Sequence, residues 1–165
     1  NFLNSWWSNF GLFANYTYTY SEAYIYERVP VDKLDEVFIF SPEGDNNFVN
    51  ESSDLEVIPM PGQAENTFNI ALFYDTKKFY AKLATNFHSD FLHELGQEPD
   101  FDVYYDQAFR IDFSSDYKIT PKISFFVQVR NLTNTPLKLY MGDPNRLKQQ
   151  EYYSWSGTFG IRIRN

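Results

Sequence analysis

Strict two-residue alternation recurs six times along this chain, and a segment that alternates in this way is an extended strand with two unlike faces. The first run sets Leu12, Ala14, Tyr16, Tyr18 and Tyr20 against Phe13, Asn15, Thr17, Thr19 and Ser21. The second sets Phe68, Ile70, Leu72 and Tyr74 against Thr67, Asn69, Ala71, Phe73 and Asp75. The third sets Phe79, Ala81, Leu83, Thr85 and Phe87 against Tyr80, Lys82, Ala84, Asn86 and His88. The fourth runs Phe109, Ile111, Phe113, Ser115, Tyr117 and the fifth Ile123, Phe125, Val127, Val129. The sixth runs from Tyr153 and Trp155 through Phe159 and Ile161 to Ile163. Six strands of about ten residues, antiparallel and up-and-down, are the expected frame.

The connections alternate too. Asp75–Lys78 and Lys118–Pro121 are tight, whereas the stretches near 22–66, 88–106 and 132–151 are long and polar. In an antiparallel meander this places every tight turn at one end and every long connection at the other. Composition explains why alternation rather than blocks is needed. Phe, Tyr and Trp make up 20% of the 165 residues, yet the mean hydropathy is negative, so aromatic and polar groups must be separated residue by residue.

Composition also narrows function. With 14 basic and 22 acidic residues the net charge is −8, which gives no basic footprint for nucleic acid. Without cysteine there is no thiolate metal site, disulfide scaffold or Cys nucleophile. No leader segment and no apolar run long enough for a membrane helix is read from the sequence. No catalytic constellation emerges, so an enzyme is not expected, and no cofactor is called for. His88 and His93 lack a third ligand at fixed spacing and read as loop residues. Asp100, Asp102 and Asp106 are weak calcium candidates, as are Glu43, Asp45 and Asn46, although neither run fits the twelve-residue calcium loop.

Soluble sandwiches and barrels can alternate faces as well, but three features point to a transmembrane β-barrel. The strand length suits a bilayer crossing. The polar parity carries Lys82, Arg110, Asp112, Arg130 and Arg162, which would line a wet inner wall. Tyr and Trp near strand ends (Tyr18, Tyr20, Tyr74, Tyr117, Tyr153, Trp155) resemble an aromatic girdle. The ordinary role of the inner-wall charges would be cross-strand pairing.

Four segments in order resemble one family. Met60-Pro61-Gly62-Gln63 leading through Asn66 into a strand, Phe79-Tyr80-Ala81-Lys82-Leu83, Asn131-Leu132-Thr133-Asn134 and Gln150–Ile163 are similar to late barrel strands of TonB-dependent outer-membrane receptors of the Bacteroidetes type. The resemblance implies that residues 1–165 are the C-terminal part of a barrel of 22 strands, without its plug domain and without an energy-coupling TonB box. It implies an active importer to which this segment supplies wall and loops. An alternative is a receptor-like barrel acting as a structural or partner-binding subunit of a larger envelope complex. The implied partners are outer-membrane lipid, the remaining strands and plug, the TonB complex through the missing N-terminal part, and a surface lipoprotein. The implied location is the bacterial outer membrane, with long loops extracellular and the short turns and C-terminus periplasmic. In the longest loop, Phe38, Ile39 and Phe40 are candidates for partner docking.

Overall fold

The computed structural model describes residues 6–26, residue 28 and residues 55–164. Among them are twelve strands in three antiparallel sheets. The large sheet has the order β1-β4-β5-β8-β9-β12, built from Phe10–Tyr18 (β1), Asn66–Asp75 (β4), Phe79–His88 (β5), Ala108–Lys118 (β8), Ile123–Arg130 (β9) and Ser156–Ile163 (β12). Each of these lies on one of the six alternating runs.

The register shows why. Leu12 lies opposite Leu72, Leu72 opposite Leu83, Leu83 opposite Phe113 and Phe113 opposite Val129, a continuous apolar row across five strands. On the opposite face Asn15, Asn69, Asn86 and Arg110 form another row. A slip of one residue would interleave the two faces, so the alternation itself fixes the register.

Both tight turns are closed by a threonine. Thr76 Oγ1 accepts from Phe79 N at 2.9 Å, and Thr120 Oγ1 accepts from Ile123 N at 3.0 Å. The Pro61-Gly62 turn that precedes β4 follows the rule that proline suits the second and glycine the third turn position: Gly62 has φ 81°, and Gln63 N donates to Met60 O.

The long connections are folded. The first carries a hairpin, Ala23–Tyr26 (β2) with Leu55–Ile58 (β3). The other two supply Phe91–Glu94 (β6), Val103–Tyr105 (β7), Leu137–Met141 (β10) and Asp143–Glu151 (β11), which form the second sheet in the order β11-β10-β7-β6. These segments show little alternation because β6, β7 and β10 are short, β11 is polar on both faces, and the ladders carry register shifts.

Several expectations are corrected here. The strands do not close into a barrel. β1 and β12 are the outer strands of an open sheet, and half of the strands belong to two further sheets that the six-strand reading did not contain. The fold is all-β with three unclosed antiparallel sheets, not a transmembrane barrel segment of uniform strands. The terminal strands are also shorter than expected. The last begins at Ser156 rather than Tyr153 because Ser154 adopts φ 61°, which breaks the extended backbone.

The core does not lie in the large sheet's body. The buried apolar residues are Ile58, Leu92, Val103, Ala108, Leu139 and Tyr140, all in the smaller sheets or at the end of the large sheet nearest them. The apolar row of the large sheet is open: Leu12 is 69% and Leu83 43% exposed.

On the polar face, two glycines make room for aromatic rings. A Cβ at Gly11 would stand 2.2 Å from the Phe73 ring, and one at Gly160 would stand 2.9 Å from the Phe126 ring. We expect Gly11→Val to destabilise the sheet by about 1–3 kcal/mol through overpacking, and Phe73→Leu to recover part of the loss. Urea denaturation of the single and double variants checks this; additive losses would exclude the ring contact as the cause.

Candidate interaction surfaces

Three sites are built by this fold. The first is an ionic cluster joining the β2–β3 hairpin to the segment before β7. Arg28 Nη2 donates to Glu56 Oε1 at 2.6 Å and Nε to Oε2 at 2.9 Å. Its Nη2 also reaches Asp102 Oδ2 at 3.1 Å, Nη1 donates to Asp102 Oδ1, and Nη1 reaches Gly96 O at 3.3 Å. Asp102 is buried, at 4% exposure, and accepts in addition from Gly96 N at 2.8 Å. The fork of the guanidinium thus satisfies two carboxylates at once. Hydrogen bonding by Arg28 holds the Glu56 carboxyl below its ordinary value, and the same bonds hold the Arg28 guanidinium in its charged form. Beside this cluster Tyr104 and Tyr140 stack at 5.3 Å. Tyr140 Oη donates to Asp90 Oδ2 at 2.6 Å, and burial, followed by that bond, pushes its hydroxyl pKa upward.

The second site is the polar face of the large sheet. Asn69 N and Nδ2 donate to Asn15 Oδ1 at 3.1 and 3.0 Å, and Asn86 Nδ2 donates to Asn69 Oδ1. The five inner-wall candidates all lie on this face, but they are not equivalent. Arg162 Nη1 pairs with Asp116 Oδ2 at 2.9 Å and covers the Phe126 ring. Asp112 Oδ1 accepts from Asn131 N at 2.8 Å. Lys82, Arg110 and Arg130 have no hydrogen bond or ion pair among the described residues, so general cross-strand pairing is not what the structure shows. A hollow of about 350 Å³ lies over Tyr80, Asp116 and Arg162, and a smaller one of about 190 Å³ lies between Lys82, Asp112, Gln128 and Arg130.

The third site is the apolar face with its two open edges. From six strands of about eight residues, spaced about 4.8 Å apart with about 3.4 Å per residue, its area is roughly 800 Å². Patches on monomeric soluble proteins rarely exceed a few hundred Å².

The remaining candidates resolve separately. Asp102 is committed to Arg28, Asp106 pairs with Lys138 at 2.8 Å, and Asp100 offers its backbone oxygen to Arg146 at 3.1 Å. The calcium reading of Asp100, Asp102 and Asp106 therefore loses its convergent ligands, and no group of three His, Asp or Glu among the described residues could hold a metal. His88 Nδ1 contacts Ser89 O at 2.9 Å, and its ring packs near Phe91 and Tyr105. His93 stands beside Glu94 at 3.8 Å. Phe38, Ile39 and Phe40, like Glu43, Asp45 and Asn46, lie outside the described residues.

Sequence reasoning missed Arg28, and it read Asn131-Leu132-Thr133-Asn134 as the exit from a strand without its turn. Asn131 and Asn134 take φ 56° and 50°, the left-handed region that asparagine tolerates. Asn131 Nδ2 donates to Thr135 O and Ser154 O. The two asparagines were visible as a turn signal; a pairing of Arg28 with Asp102 across 74 residues has no local signal.

The chain matches no protein-family model, no curated protein and no solved structure. The resemblance to TonB-dependent receptors is therefore corrected: it rested on short segments and finds no support in these comparisons. With it fall the importer function, the envelope-barrel alternative and the outer-membrane placement of loops and turns, since the strands close no barrel. No helix among the described residues is long and apolar enough to cross a membrane.

The cluster around Arg28 makes a prediction about pH. Glu56, its carboxyl held below the ordinary value by Arg28, contributes stability that is complete above the ordinary carboxylate range and is lost as pH falls through the lowered value. We expect Glu56→Gln to be less stable than the parent at neutral pH and to lose less on acidification. Arg28→Met, which leaves Asp102 buried and unpaired, should cost about 3 kcal/mol. Urea midpoints at several pH values measure both; parallel pH profiles for parent and Glu56→Gln would contradict the assignment.

Proposed function

We propose that this chain is a β-structured assembly module that works by presenting its large sheet to apolar β-structure of another polypeptide, and that its role is binding rather than catalysis. The observation that carries this reading is the open apolar face. Leu12, Leu72, Leu83, Phe125, Phe159 and Ile161 are exposed on one side of a single sheet, and among the described residues β1 and β12 are each paired on one side only. A face of roughly 800 Å² equals one partner's share of a standard protein interface. Burying it at about 25 cal/mol per Å² offers a large driving force, and the free edges offer strand addition in the same act. The Arg28 cluster and the small core hold the two minor sheets folded at one end of the large one, leaving the face itself free.

The test compares the two parities. The folded chain should assemble as its concentration rises, with copies of itself or with a bound protein. Leu83→Arg should disrupt that assembly while Ala84→Arg, on the opposite face, leaves it intact. Sedimentation velocity with circular dichroism as a check on strand content reads the outcome. A monodisperse monomer that binds no apolar dye would overturn the proposal. So would a monomer kept soluble only by detergent and recruited to lipid vesicles, because lipid would then be the cover.

A further inference from the structure

We propose that the opposite, polar face is a binding site for an extended acidic polypeptide segment, held by Lys82, Arg110 and Arg130. This inference concerns a different surface from the assembly face and stands independently of it. None of the three cations finds a hydrogen bond or ion pair among the described residues; the same holds for the Lys118 and Arg164 side chains nearer the tight turns, but only these three flank the hollow beside Asp112 or stand two residues from Asp112. The same face does pair Arg162 with Asp116, whereas no carboxylate among the described residues reaches Lys82, Arg110 or Arg130. Lys82 lies opposite Ser114 and Arg110 opposite Asn86, neither of which neutralises a charge. The one carboxylate among them, Asp112, lies opposite Ala84 and is engaged by Asn131 N. The group therefore carries two net positive charges in a chain of net charge −8.

The register gives the spacing of a ligand. Val129 pairs with Phe113, which sets Arg130 one residue further along, beside Asp112. With about 3.4 Å per residue and about 4.8 Å between strands, the Cα atoms of Arg110 and Arg130 are about 8 Å apart, and those of Arg110 and Lys82 about 14 Å. A single small oxyanion does not match that span. An extended peptide with a carboxylate at every second residue repeats at about 7 and 14 Å and does. The hollow between Lys82, Gln128 and Arg130 gives it room, while Ser114, Gln128 and the asparagine row provide polar partners for its backbone.

The experiment is calorimetric titration of the folded chain with blocked Glu-Ser-Glu-Ser-Glu, with Lys-Ser-Lys-Ser-Lys and inorganic phosphate as comparators. Only the acidic peptide should bind, more weakly as salt rises. Lys82→Ala, Arg110→Gln and Arg130→Gln should each weaken binding by about threefold or more. Asp112→Asn, which keeps the acceptor for Asn131 but removes the opposing charge, should tighten it; a purely structural role would not. Lys148→Ala, on β11 in the second sheet, should change nothing. Absence of binding, equal binding by phosphate, or indifference to the three cation variants would overturn the proposal, and none of these results bears on assembly through the apolar face.

Discussion

The separation of two unlike faces at every second residue governs this molecule. It fixes the register of six strands, because each hydrogen-bonded ladder is compatible with only one parity of contacts on each side. Once Leu12, Leu72, Leu83 and Phe113 share a row, Asn15, Asn69, Asn86 and the cationic groups are placed on the other side with no further choice. The same constraint creates the problem that defines the protein's behaviour. A single layer of sheet covers neither of its faces, and a domain ordinarily needs a second layer to bury an apolar one.

The chain supplies no such layer among its described residues. Its buried side chains gather where the β2–β3 hairpin and the β11-β10-β7-β6 sheet meet the end of the large sheet. There Leu92, Val103 and Tyr140 are buried, and Arg28 ties together two carboxylates that would otherwise be costly to bury. This arrangement stabilises the connections rather than the wall. A sheet anchored at one end, open along both edges and bare on one face is suited to incorporation into something larger.

How much of this was legible in the sequence depends on the range of the interaction. The six long strands follow from local alternation, which needs no partner to be seen, and the Thr76 and Thr120 turns lie where that alternation breaks. The second sheet was hidden because β6, β7 and β10 are short and the pairing is bulged, as at Leu139 and Tyr140, while β11 is polar on both faces, so no parity persists long enough to read. Arg28 was hidden because its partners lie 28 and 74 residues away. The candidate charges share one face of the sheet, as their common parity implies, but which of them pair was not readable: Arg162 finds Asp116 diagonally, whereas Arg110 meets an asparagine. The barrel reading went wrong at the step from strand pattern to closure. Alternation determines what each face is made of, not how many strands stand beside it.

If the large sheet is open and awaits a cover, amide hydrogen exchange should reveal it strand by strand. In the isolated chain, the inner strands β5 and β8, flanked on both sides, should exchange slowly, while the outward-pointing amides of β1 and β12 exchange quickly. In the assembled form the edge amides should become protected together. If β1 and β12 are as protected as β5 in a dilute monomer, the sheet is already closed or covered, and the account is contradicted.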